Sequence, residues 1–126
     1  MMGCNPVKED LIVVGEYIQR FNDLTNQDLP CGAIYQSRGL ETHVNRHHAS
    51  EIELISHIPT VIKNPEYIGK HPTEPNSIEL IKQIDKNVMV CIKLDIKGDY
   101  LYVASVFSIS SGKLNNRLNS GRLQKY

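Results

Sequence analysis

The sequence predicts an α+β fold, with helices in its N-terminal half packed on one side of a mainly antiparallel sheet. Three observations predict it. Apolar residues recur at helical spacing near the N-terminus, they alternate with a period of two in the second half, and Gly98-Asp99 separates that alternating run from a second one. Helices followed by strands segregate into two layers around one core. At 126 residues the chain amounts to one domain, long enough to bury roughly two-thirds of its unfolded surface without a disulfide scaffold.

From Lys8 to Leu24 the apolar positions are Leu11, Val14, Tyr17, Ile18, Phe21 and Leu24, an i, i+3, i+4 pattern that predicts a first helix within an N-terminal helical extension over residues 1–30. Pro6 upstream and the acidic pair Glu9-Asp10 suit its first turn. Asn26 to Pro30 breaks the pattern, and Ala33-Ile34-Tyr35 reads as a short strand. Leu40 to His48 reads as a second helix and Ser50 to His57 as a third, with Ser50 and Glu53 in capping-box spacing. Pro59 can open a further helical turn, and the three prolines between Asn64 and Asn76 predict a loop. Ser77 to Ile84 suits a strand, although Ile78, Leu80, Ile81 and Ile84 would also suit a helix.

Val88, Val90, Ile92, Leu94 and Ile96 alternate with Met89, Cys91, Lys93, Asp95 and Lys97, so Asn87 to Lys97 is expected to form a strand with one apolar face. A two-residue turn at Gly98-Asp99 would pair Lys97 with Tyr100 and bring Tyr100 to Ile109 back as the return strand. That register sets Ile92 opposite Ser105 and makes Ser105 the one polar residue on a core-facing stripe. Ser111 to Leu118 is expected to be a short helix.

Hydrophobic residues at 40% and charged residues at 22% argue against wholesale disorder. No apolar run approaches the ~18–20 residues needed to cross a bilayer, and the N-terminal residues show no secretion signal. Cys4, Cys31 and Cys91 are odd in number and far apart, neither a disulfide framework nor a CxxC metal site, which fits a cytoplasmic setting. The net charge of zero hides a dipole. Residues 1–99 carry ten cations and all fourteen acids, a net of −4, whereas residues 100–126 carry Lys113, Arg117, Arg122 and Lys125 with no acid. A basic, Ser- and Asn-rich, acid-free tail suits a phosphate-bearing ligand, and equally a solvated helix. The lack of overall positive charge counts against a non-specific DNA coat.

The densest polar cluster is His43-Val44-Asn45-Arg46-His47-His48. On a helix, His43 and His47 stand one turn apart on one face, where one imidazole can take a proton while the other gives one. The spacing also suits two zinc ligands, but no glutamate stands between them as in HExxH and no third ligand is near; the same residues could simply decorate a helix end. His57 and His71 are isolated and read as structural. Ser105 lacks a nucleophile elbow, so its hydroxyl suits a hydrogen bond to a phosphate oxygen or a tight packing spot. Lys93 is either a solvated sheet residue or an electrostatic stabiliser of a cleft, and the register above would keep it on the face away from Ser105. No Gly-rich phosphate loop is present, and the aromatic residues show no cluster for base stacking.

Taken together, Leu40-Glu41-Thr42-His43-Val44-Asn45-Arg46-His47, Ile58-Pro59, Asn64-Pro65-Glu66-Tyr67-Ile68-Gly69 and the strand segment Tyr102-Val103-Ala104-Ser105 resemble the phage-associated branch of the Barnase–EndoU–colicin–RelE-like ribonuclease superfamily. The resemblance covers roughly residues 35–126 and rests on the order and spacing of several weak motifs. It implies a roughly four-stranded antiparallel sheet under N-terminal helices, one nuclease domain over residues 1–126, and metal-independent endoribonuclease chemistry without a cofactor. A base would remove the ribose 2′-OH proton, an acid would protonate the leaving 5′-oxygen, and a 2′,3′-cyclic phosphate would result. His43 and His47 match helix-borne histidines of the group and Ser105 matches a strand hydroxyl; Arg46, Lys113, Arg117 and Arg122 are the basic residues placed for phosphate contact. The resemblance also implies an RNA substrate, a toxin-like or mobile-element role, and an inhibitor or antitoxin protein as partner. The alternatives are a non-catalytic relative that binds RNA or protein, and a zinc-stabilised structural domain.

Overall fold

A computed structural model describes residues 11–37, 40 and 49–126. In chain order the elements are β1 (Leu11–Tyr17), α1 (Gln19–Thr25), β2 (Gly32–Ser37), a 3-10 helix (Ala49–His57), α2 (Ile58–Lys63), β3 (Tyr67–Gly69), β4 (Ser77–Gln83), β5 (Asn87–Asp95), β6 (Tyr100–Ile109), α3 (Ser111–Ser120) and β7 (Leu123–Lys125). Among the described residues the strands form one seven-stranded sheet in the order β1-β2-β6-β5-β4-β3-β7. Its pairings are antiparallel except β2 with β6, which run parallel. The fold is α+β as expected, but the sheet is larger than four strands and mixed.

Three local differences account for the larger sheet. The helix expected over Lys8–Leu24 begins only at Gln19, because the β-branched run Ile12-Val13-Val14 favours extended backbone and pairs with β2. Gly15 has a packing reason, since a Cβ there would stand 2.5 Å from the Ile62 side chain of α2. The proline-bounded loop contains β3, whose Gly69 pairs with Glu79 on one side and Leu123 on the other. The tail adds β7 after Gly121, which ends α3 with φ 85°, a left-handed conformation that suits glycine. Ser110 caps α3, its side chain accepting from the Lys113 amide at 3.1 Å. The helix expected over Leu40–His48 lies outside the described residues apart from the buried Leu40, and the one expected at Ser50–His57 is a 3-10 helix.

The main core lies on one face of the sheet. Ile34, Ile78, Leu80, Val88, Val90, Ile92 and Val103 from the strands meet Phe21, Leu54, Ile58 and Val61 from the helical segments. The helices are not confined to that side. α3 crosses the opposite face, where Leu114 packs with Ile81, Met89, Ile109 and Leu123 in a smaller second core. Among the described residues no other helix packs into that second core, and a cleft opens on the remainder of the face.

The junction of β1, α1 and β2 is fixed by a buried polar network. The Tyr17 hydroxyl donates to Asn22 Oδ1 at 2.8 Å, and Asn22 bridges the Leu29 backbone through Nδ2–H···O (2.8 Å) and N–H···Oδ1 (3.0 Å). Burial pushes the Tyr17 phenol well above the usual tyrosine range. The unfolded phenol, with a pKa near ~10, therefore releases its proton first. The stability this group contributes is complete below that pH and is lost as the pH rises beyond it. Tyr17→Phe is expected to cost about 1 kcal/mol at pH 7, because Asn22 keeps its backbone partners, and to flatten the loss of stability above pH ~10. Urea denaturation of both proteins from pH 7 to 11 checks this; parallel pH profiles would contradict it.

Candidate nucleic-acid cleft

The open face holds a cleft of about 410 Å³ bounded by β4, β5, β6, the loop before β4 and the C-terminal part of α3. Its floor is set by an irregularity in the β5–β6 ladder. The connecting turn spans Ile96–Asp99 rather than two residues, because the Asp95 carboxylate accepts from the Gly98 amide at 3.0 Å and the Asp95 carbonyl accepts from the Asp99 amide at 2.7 Å. Asp95, not Lys97, therefore pairs with Tyr100, and Ile96, expected on the core face, is exposed. A bulge at Cys91/Ile92 then inserts Ala104 into β6, so that Ser105 pairs with Cys91 instead of Ile92. A one-residue slip turns a side chain to the other face. Ser105 thus leaves the core stripe and joins Lys93 on the open face, which corrects the register expected from the sequence.

Around that floor stand Lys93, Arg117, Arg122 and His71. Arg122 binds Glu79 in a two-pronged ion pair, Nε to Oε1 at 3.0 Å and Nη2 to Oε2 at 2.7 Å, with the Glu79 side chain only 2% exposed. Hydrogen bonding to that carboxylate raises the Arg122 pKa still further above its usual value. Lys93 reaches Glu74 at 3.5 Å. Arg117 rests its guanidinium on Met89 Sδ at 3.1 Å, and among the described residues no carboxylate lies within ion-pairing distance of it. It is therefore the cleft cation most available to a phosphate. Cys91 is the thiol beneath Ser105, and burial pushes it up to about 11 against a partial offset from the Ser105 hydrogen bond, so it stays protonated at neutral pH.

Of the residues singled out in the sequence, Ser105, Arg117 and Arg122 come together in this cleft. Lys113 is exposed on α3 and does not line it. His43, Arg46 and His47 lie outside the described residues. The structure adds three groups that the sequence reading missed or set aside. His71 lines the cleft, its Nδ1 accepting from the Thr73 and Glu74 amides at 3.1 Å each, so that in the neutral ring the proton sits on Nε2. Glu79 had a signal, an acid flanked by Ile78, Leu80 and Ile81 in a strand, and Cys91 had only its place beside Lys93. Among the described residues, no three His, Cys, Asp or Glu side chains are grouped so as to hold a metal ion. No helix among them is long and apolar enough to cross a membrane.

Breaking one side of the Glu79–Arg122 pair strands a buried charge. Arg122→Met is expected to cost about 3 kcal/mol. Adding Glu79→Met should recover most of that loss, because an apolar pair of similar volume has no charge to leave unsolvated. Urea denaturation of the two single variants and the double variant measures the coupling, and additive losses would show that the pair does not act as a unit.

Comparison with curated proteins and with solved structures gives no match. A family of sequences described as phage-Barnase-EndoU-ColicinE5/D-RelE like nuclease3 matches residues 12–116. The match runs from β1 into α3 and takes in the whole β4–β5–β6 floor of the cleft, Ser105 included, as well as the segment that carries His43 and His47. The chain belongs to this phage-associated nuclease family of the Barnase–EndoU–colicin–RelE-like group.

Proposed function

We propose that the chain is a single-domain, metal-independent endoribonuclease that cleaves RNA by attack of the ribose 2′-oxygen on the adjacent phosphorus. The observation that carries this reading is Arg117, with no carboxylate partner among the described residues, standing beside Arg122 and the Ser105 hydroxyl in one open cleft. A phosphorane places extra negative charge on its non-bridging oxygens, and fixed guanidinium and hydroxyl donors offset that charge where it develops. Arg122 spends two of its five N–H donors on Glu79 and keeps the others for a ligand.

In this reading a histidine of the His43/His47 pair takes the 2′-OH proton. The O2′–P bond forms as the P–O5′ bond breaks, and the second histidine returns a proton to the departing 5′-oxygen. The products are a 2′,3′-cyclic phosphate and a 5′-hydroxyl. Ser105, Arg117 and Arg122 hold the phosphate, and Arg46 and Lys113 extend its contacts. The family's phage association supports a toxin-like or phage and mobile-element effector role in this reading, and a nuclease acting in the cytoplasm would need an inhibitor or antitoxin protein to restrain it. A relative that binds RNA or protein without cutting is the competing reading, because a fold does not guarantee its reaction.

Purified protein incubated with total cellular RNA, with and without EDTA in parallel, followed by ligation specific for cyclic phosphates, tests the proposal. Discrete cuts bearing 2′,3′-cyclic ends are expected. His43→Ala and His47→Ala should each slow cleavage by about 10²–10⁴-fold. Arg117→Ala should slow it and Lys113→Ala should matter least. Full loss of cleavage in EDTA would overturn the metal-independent mechanism. Equal cleavage by both histidine variants would overturn the roles given to His43 and His47, and an unchanged RNA profile would favour the binding relative.

A further inference from the structure

The open face continues beyond the cleft. Along β5 and β6 from Cys91 and Ser105 toward the Ile96–Asp99 turn, the next pair on that face is Lys93 with Tyr102, and the one after it is Asp95 with Tyr100. The parallel pairing of β2 with β6 sets Tyr35 beside Tyr102. The rings meet: Tyr35 and Tyr100 stand edge to face with centroids 6.0 Å apart and planes at 85°, and Tyr100 and Tyr102 are 6.0 Å apart at 58°. Tyr35 of β2 thus joins Tyr100 and Tyr102, neighbours on β6, in one cluster that only the fold assembles.

Two features separate this cluster from ordinary packing. None of the three tyrosines belongs to either hydrophobic core, and each is only half-buried. The helix on this face, α3, covers Ile81, Met89 and Ile109 instead. The rings are also held in place. A Cβ on Gly98 would overlap the Tyr100 ring, so the glycine of the turn makes room for that ring. Tyr100 also lies directly across the strand pair from Asp95, at the end of the ladder where the turn begins. An ordered, partly exposed aromatic cluster adjoining a cationic groove presents π-faces next to a phosphate site, the combination by which proteins hold single-stranded nucleic acid.

We propose that Tyr35, Tyr100 and Tyr102 form a stacking subsite for unpaired nucleobases, which makes the enzyme select single-stranded RNA. The inference rests on reading the cleft as the phosphate site. Successive same-face positions on a strand are about 7 Å apart, so the rings stand roughly one and two such steps from the Cys91–Ser105 floor. A nucleotide whose phosphate lies against Arg117 and Arg122 can lay its neighbour's base on Tyr102 or Tyr100. A duplex keeps its base faces stacked inward and cannot.

The test is fluorescence anisotropy with a short fluorescein-labelled 2′-O-methyl RNA oligonucleotide, which lacks the attacking hydroxyl and stays intact. The wild-type protein is expected to bind the single strand more tightly than its duplex. It should bind an otherwise identical oligonucleotide with consecutive abasic positions about 5- to 150-fold more weakly, the range for one lost base stack. Tyr102→Ala should weaken binding by a similar factor without changing the salt dependence, and Tyr102→Phe should bind like wild type. Arg117→Ala should instead reduce the salt dependence. Equal binding of abasic and intact strands, with Arg117→Ala still weakening both, would overturn the stacking subsite and leave the phosphate cleft standing. Insensitivity to Arg117→Ala as well would overturn both.

Discussion

The two-pronged ion pair between Glu79 and Arg122 is the constraint on which the open face depends. Glu79 sits in the middle of β4 on the side away from the main core, almost wholly removed from water. A carboxylate there is costly unless a cation and matched hydrogen bonds replace its hydration. Arg122 provides both, but only because the chain after α3 turns at Gly121 and returns to the sheet as β7. Gly69 permits that return. It stands between Glu79 and Leu123 in the sheet, and a Cβ there would collide with the Arg122 carbonyl. One glycine, one turn and one ion pair therefore fix the wall of the cleft. The same turn ends α3 four residues after Arg117.

This arrangement explains how a chain with no net charge acquires a cationic site. Every acid lies before residue 100, and the tail holds none. Folding lays the tail over the second face of the sheet, where the nearby acids Glu79 and Glu74 are occupied by Arg122 and Lys93. Arg117 is left facing the cleft with a thioether beneath it, and its field has no counter-charge within ion-pairing distance among the described residues. Charge segregation in the sequence becomes a local potential only through this docking, which is why the overall charge gives no sign of it.

Much of the framework was legible because it follows from local periodicity. The alternation over Asn87–Lys97 marks β5, which ends at Asp95, Pro59 marks α2, and the helix expected at Ser111–Leu118 is α3. The parts that were not legible depend on tertiary pairing. Leu11 to Val14 scans as part of a helix, yet extends because β2 is there to pair with it. Tyr67–Gly69 is too short to announce itself and becomes a strand only between β4 and β7. The face of Ser105 turns on a single inserted residue, Ala104, which no period-two pattern reveals. Arg117 and Arg122 were recognisable as cations of an acid-free tail, whereas His71 and the tyrosines gained their neighbours only through the fold.

The chemistry around Ser105 bears on its role. A serine nucleophile needs a base within hydrogen-bond reach to remove its proton. Among the described residues the thiol of Cys91 faces Ser105 across the strand pair, and burial keeps that thiol protonated at neutral pH, so it cannot accept the serine proton as a thiolate would. Among the described residues no base activates the serine hydroxyl, but it is well placed, on a strand whose bulge aims it into a cleft lined by two arginines. A hydroxyl so placed in a cationic cleft is suited to donating a hydrogen bond to a phosphate oxygen.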